Sequence, residues 1–227
     1  MCGRVGFFSD GLFINDVQAV LGDFINDIGT LPPHYNIAPS QQLPALLSNH
    51  HYTNTSFGFI PHWVKQPKIH PINARAETIN GKPMFRGSFR HKRALIPVNG
   101  FYEWHQEGSY KQPYWFHPTE QDYFALGAIW DEWYDNEHDK IITSSAIITT
   151  EANALMQPIH DRMPVIIPKE SWALWLDSAV TEPEVLYDLL NPYRSDRMAT
   201  YKVSTRVNSP VNDDVDLLSP MSPETLF

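Results

Sequence analysis

Apolar and polar positions along this chain are spaced for strands more often than for helices. β-branched and aromatic residues crowd into short runs bounded by Pro, Gly and Asn: "LPALLS" (43–48), "TSFGFI" (55–60), "ALIPVNGFYEW" (94–104), "PYWFH" (113–117), "YFALGAIW" (123–130), "KIITSSAIITT" (140–150), "MPVIIP" (163–168) and "ATYKVST" (199–205). Helical spacing is rarer. Phe13, Val17, Val20 and Leu21 share one helical face, and "PKESWALWLD" (168–177) predicts a short helix around Trp172 and Trp175. In "TEPEVLYDLL" (181–190), Thr181 followed by Glu184 has the spacing of a capping box. With no repeat or long linker, the pattern predicts one α+β domain over residues 1–227. Its core would be a mostly antiparallel, twisted, barrel-like β structure with short peripheral helices. Nineteen prolines fit many fixed turns better than long regular elements.

Composition narrows the class. Apolar residues make up 42% of the chain and aromatic residues 13%, enough for a substantial core. No run of about 18 apolar residues exists, so no membrane span is expected. The N-terminus lacks a basic region followed by an apolar stretch, and a lone cysteine suits a reducing compartment, so a cytoplasmic location is expected. There is no His-Glu-x-x-His, and the pair His50-His51 has no evident third ligand. Neither a metal nor another cofactor is expected.

The net charge of −9 argues against a polyanionic partner until its distribution is read. Residues 61–93 hold Lys65, Lys68, Arg75, Lys82, Arg86, Arg90, Lys92 and Arg93 against Glu77 alone, net +7, leaving −16 for the remainder. Acid gathers elsewhere, as in "DEWYDNEHD" (131–139). One basic face on an acidic protein can hold a polyanion locally, whereas the plainer reading of such a run is a solvated loop.

Four stretches place polar residues where the pattern alone would put apolar or turn residues: "MCGR" (1–4), "INARAET" (72–78), "GFYEWH" (100–105) and "IHDRMP" (159–164). Each has a modest explanation. Asn73 could cap a turn, Arg75 could pair with Glu77, and His160-Asp161-Arg162 could form a turn. Glu103 alternates with Phe101, which makes it either a buried carboxylate with a raised pKa or a salt-bridged strand end. Cys2, the sole thiol, directly follows the initiator methionine, a poor place for a structural cysteine because termini fray.

Taken together and in order, "MCGR", "YNIAPSQQLP", "FGFIPHWVK", "NARAET", "MFR", "RALIPVNGFYEW", "IITTEAN", "IHDRMPVII" and "VSTRVNSPVNDDVDLL" resemble the SRAP-domain family, first labelled SOS-response-associated peptidases and associated with abasic-site processing. The resemblance spans nearly the whole chain. Val5 stands where the family often has an aromatic residue and Ala94 where it often has a cysteine; neither position is needed for chemistry.

The resemblance implies a sensor of abasic sites in single-stranded DNA, including single-strand/double-strand junctions, that links itself covalently to the ring-opened sugar. It implies a monomer without cofactor or membrane partner. Cys2 would be the nucleophile once Met1 is removed, and Asn73 would orient the terminus and the sugar. Glu103 would move protons, and His160 would stabilise the open sugar or the imine and support lyase chemistry or reversal. Arg4, Arg75, Arg86, Arg162 and Thr149 would meet phosphates, while Trp63 stacks on a base and Pro39 wedges at a junction.

The chemistry is consistent with those roles. A 1,2-aminothiol condenses with an aldehyde to an imine, and the thiol closes a five-membered thiazolidine. At neutral pH roughly a tenth of α-amines and a few per cent of thiols are already deprotonated, so proton transfer is the task left to a carboxylate and an imidazole. The rival readings are an N-terminal-cysteine amidohydrolase, for which Asn99-Gly100 weakly suggests an oxyanion loop, a peptidase acting on its own Met1, and a non-covalent DNA-binding module.

Overall fold

A computed structural model describes residues 2–9, 11–29 and 31–221. Its strands are β1 (Val5–Phe7), β2 (Ile25–Asn26), β3 (His34–Ile37), β4 (Gln42–Leu47), β5 (His51–Phe57), β6 (Asn73–Arg75), β7 (Arg93–Val98), β8 (Gly100–Glu107), β9 (Tyr110–Pro118), β10 (Phe124–Asp135), β11 (Lys140–Glu151), β12 (Arg162–Pro164) and β13 (Met198–Lys202). The helices are α1 (Gly11–Leu21), α2 (Pro83–His91), α3 (Trp172–Leu176) and α4 (Pro183–Tyr187), with short 3-10 turns between. None of the described helices is long and apolar enough to cross a membrane.

Five strands close a barrel in the order β11-β10-β7-β4-β5, β5 returning to β11 by a parallel pairing at Ser56–Ser144 and Phe57–Ser145. A second, five-stranded sheet runs β13-β9-β8-β1-β3. The mostly antiparallel barrel and short helices are as the pattern predicts.

Alternate residues of the barrel strands enter two cores. Leu95, Ile129 and Ile148 pack with Phe13 and Val17 of α1, Phe89 of α2 and the paired tryptophans of α3. Ala94, Ile96 and Ile147 pack with Cys2, Phe101 and Phe116 from the second sheet. Burial on both faces explains why β7 reads as an unbroken apolar run.

Three local readings are corrected. "ALIPVNGFYEW" is two strands in different sheets, divided at Asn99. That side chain accepts from the Phe8 and Ser9 amides at 2.7 and 3.2 Å and donates to the Asp122 carbonyl at 2.8 Å. Thr181 does not cap α4: the helix starts at Pro183, whose fixed φ suits a first helical position, and Glu182 is the flanking residue. The basic stretch is not one solvated face. Arg93 is fully buried and donates to four carbonyls, Lys92 pairs with Asp131 at 2.6 Å, and Arg90 donates to Asn80 at 3.0 Å. Lys65, Lys68, Arg75, Lys82 and Arg86 remain exposed.

Candidate active site

Strand register brings the N-terminus to Glu103. In the antiparallel pairing of β1 with β8, Val5 faces Phe101, and the Tyr102 amide donates to the Arg4 carbonyl at 2.9 Å. Continued in the same register, Gly3 falls opposite Glu103. Both Cys2 (0% exposed) and Glu103 (3%) are buried. Burial pushes the Cys2 thiol far above its ordinary pKa, and the Glu103 charge adds to that rise; a hydrogen bond from the Arg4 amide works weakly against it. The thiol is therefore protonated at neutral pH.

Asn73 reaches the same terminus from the barrel. Strand β6 runs parallel to β11, pairing Asn73 with Ile147 and Arg75 with Thr149. Asn73 Nδ2 donates to the Cys2 carbonyl at 2.9 Å, while its buried Oδ1 has no hydrogen-bond partner. An acceptor held dry beside the terminus is suited to an amine or hydroxyl donor.

Glu103 also lines a cavity of about 490 Å³ with Arg4, Trp104, Lys111, His160 and Asn208. Arg4 is fixed by Asn36 Oδ1 at 2.8 Å and the Val207 carbonyl at 2.6 Å, and its guanidinium carbon lies 5.7 Å from the centre of the Trp104 ring. Trp104 Nε1 donates to Asn208 Oδ1 at 2.7 Å. The loop after β11 presents His160. The Arg162 amide donates to its Nδ1 at 2.9 Å, so the neutral ring carries its proton on Nε2; the charged ring would instead donate from Nδ1 to Asp161, 3.0 Å away.

The structure thus gathers Cys2, Asn73, Glu103, His160 and Arg4 around one terminus and one cavity. Arg75 lies exposed on the same side of β6 as Asn73. Arg162 is mostly buried and forks onto Glu77 at 2.5 and 2.9 Å, also donating to the Thr149 carbonyl at 2.6 Å; its pull holds the Glu77 carboxyl below the usual range. Thr149 is fully buried inside β11 with no hydrogen-bond partner for its hydroxyl, which corrects the expected phosphate contact: the side chain does not reach the surface. Pro39, Trp63 and Arg86 are exposed and do not line the cavity.

Sequence reasoning missed Lys111, Trp104 and Asn208 as cavity residues. Asn208 and Trp104 sit inside quoted motifs and could have been singled out, whereas Lys111 sits in an ordinary hairpin with no signal around it. The amidohydrolase feature at Asn99 is accounted for by its hydrogen bonds to the Phe8, Ser9 and Asp122 backbone.

Over 226 aligned residues the chain is 39% identical to the Abasic site processing protein YoqW of Bacillus subtilis (strain 168), spanning 96% of this chain and 99% of that protein. It is 28% identical to the Abasic site processing protein HMCES of Xenopus tropicalis, spanning 82% of this chain and 66% of that protein. The crystal structure of a protein from Bacteroides thetaiotaomicron superposes with a TM-score of 0.86 at 25% identity, covering 97% of this chain and all of that one. The family model for the SOS response associated peptidase (SRAP) matches residues 1–210, and with a match of that breadth the chain belongs to the SRAP family.

Proposed function

We propose that this protein processes abasic sites in single-stranded DNA by capturing the ring-opened sugar on Cys2. The observation that carries the reading is that Glu103 is common to the buried thiol and the open cavity. A group in that position can pass protons between the nucleophile and a bound sugar.

Removal of Met1 gives Cys2 a free α-amine. The amine adds to the C1′ aldehyde and the carbinolamine loses water to form an imine. The thiol then adds across the C=N bond, its proton passing through Glu103 to the nitrogen, and a thiazolidine results. Asn73 holds the Cys2 carbonyl during these steps, and its unpartnered Oδ1 accepts from the amine or a sugar hydroxyl. Arg4 and Lys111 supply positive charge in the cavity for a flanking phosphate, and His160 faces the same space for lyase chemistry or reversal. Arg75 and Arg86 would carry the strand outside it, and Arg162 shapes the site through Glu77.

Intact-mass spectrometry tests the proposal. Protein lacking Met1 should gain the mass of an abasic-site oligonucleotide less one water, and Cys2→Ser should form only an imine that disappears without reduction. A processed terminus with no adduct would overturn the reading, and hydrolysis of glutamine or peptide amides by the same sample would put an amidohydrolase in its place.

A further inference from the structure

The acidic run at 131–139 takes no part in the cavity, yet it is not a plain solvated face. Where β10 crosses it, Asp131, Trp133 and Asp135 are buried while Glu132 and Tyr134 are exposed. The buried side meets the segment that carries Trp63. Asp131 Oδ2 accepts from the His62 amide at 2.9 Å and from His62 Nδ1 at 2.8 Å. Its Oδ1 accepts from Lys92 Nζ at 2.6 Å and from the Glu132 amide at 2.9 Å. Two residues along the same face, Trp133 Nε1 donates to the Val64 carbonyl at 2.6 Å. The Val64 amide in turn donates to the Pro61 carbonyl at 3.1 Å, closing a tight turn.

Trp63 sits between these two anchors and is 55% exposed. A single exposed apolar side chain is ordinary on a protein surface; what distinguishes Trp63 is that both neighbouring residues, His62 and Val64, are tied to β10, which holds the indole outward. A buried carboxylate is stable only with several donors, and Asp131 has four. The lysine and histidine hydrogen bonds outweigh its desolvation and hold its carboxyl below the usual range, so it is charged when it grips the turn.

We propose that Asp131 and Trp133 are positioning residues that present Trp63 as a preset stacking platform for a nucleobase. The inference rests on the reading of Trp63 as a DNA contact. Its physical content is that ordering the turn is met during folding and does not weaken binding.

The test is the affinity of a short fluorescein-labelled single-stranded oligonucleotide without an abasic site, read by anisotropy, so that failure of covalent capture does not enter. Trp63→Ala should weaken binding about tenfold, the scale of one base–aromatic stack. Trp133→Phe, which keeps an aromatic side chain but removes the N–H together with the five-membered half of the indole, and Asp131→Asn should each weaken it about threefold when Trp63 is present. Neither should weaken it further in the Trp63→Ala background. Equal losses in both backgrounds would mean a merely structural role and overturn the proposal. So would wild-type affinity in Trp133→Phe and Asp131→Asn alongside a loss in Trp63→Ala. Wild-type affinity in Trp63→Ala would remove the DNA contact itself, and the positioning role with it.

Discussion

Arg93→Met separates the basic residues that build the fold from those that can meet DNA. Arg93 is completely buried, and its guanidinium donates to the carbonyls of Phe89, Arg90, Trp175 and Asp177 at 2.5–3.0 Å. The first two carbonyls lie in the last turn of α2, and the others close α3, so one side chain serves as C-terminal cap to two helices. Burial lowers its pKa to about 10, which leaves it charged at neutral pH. Methionine keeps the stem and removes every donor.

The Phe89 and Trp175 carbonyls are bonded in fully buried surroundings and would lose their partner at about 1–3 kcal/mol each. The Arg90 and Asp177 carbonyls lie nearer solvent and can recruit water. Relief of guanidinium desolvation returns part of the loss, leaving a destabilisation of about 3 kcal/mol. For a chain of this size that lowers Tm by about 6–12 °C. Melting followed by near-ultraviolet circular dichroism checks the figure, with oligonucleotide affinity measured well below the transition. A Tm within about 2 °C of wild type would refute the capping argument. Loss of DNA affinity in the still-folded variant would refute the division between structural and DNA-facing cations.

Exposed Arg86 is the counterpart: Arg86→Ala should leave Tm unchanged and reduce the log–log salt slope of single-strand binding by about 0.7, as measured across a salt titration. Gly100→Ala should fail to fold or melt much earlier, because a Cβ there would meet the Phe116 carbonyl oxygen at 2.4 Å and Trp115 at 2.3 Å; the melting curve decides. Cys2 binds its proton more tightly in the folded Met1-bearing chain than in the unfolded one. Its stability contribution is thus complete below the unfolded thiol's pKa and lost as pH rises above about 8.5, at about 1.4 kcal/mol per pH unit. Urea unfolding between about pH 8 and pH 10 should show a shallower decline in Cys2→Ser.

Where period and side-chain type speak for a single element, the sequence was legible. Phe13 and Val17 form the buried face of α1, and Trp172 and Trp175 the core of the helix predicted around them. Glu103, alternating with Phe101, is buried on the same side of β8 as that ring, as the spacing places it. Contacts between distant segments were not legible from local pattern. Nothing around Arg93 distinguishes it from Arg86, because its carbonyl partners come from helix ends that only folding assembles. Strand β6 is too short for alternation to mark, and its parallel pairing with β11 is what places Asn73 at the terminus. Thr181 matches a capping pattern that Pro183 overrides locally. Motif order identified the family where individual spacings left alternatives open.

The raised thiol pKa at first opposes a nucleophilic role, since a thiol held protonated attacks slowly. The proposed sequence of steps removes the conflict. Burial, with the Glu103 charge adding to it, holds the proton on sulfur before the imine forms, which also protects the thiol from oxidants. Once the imine nitrogen takes up the proton relayed by Glu103, it would carry a positive charge two carbons from that sulfur. A positive charge at such range in a dry site lowers the thiol pKa and draws its proton toward Glu103. In the proposed sequence the thiol would then be activated by the intermediate it must trap, and ring closure would follow the amine step rather than compete with it. Glu103→Gln should accordingly make the resting thiol easier to alkylate with iodoacetamide while slowing capture of abasic DNA. Opposite signs in the two assays would support a proton relay at Glu103, whereas slowing in both would reduce Glu103 to a packing residue.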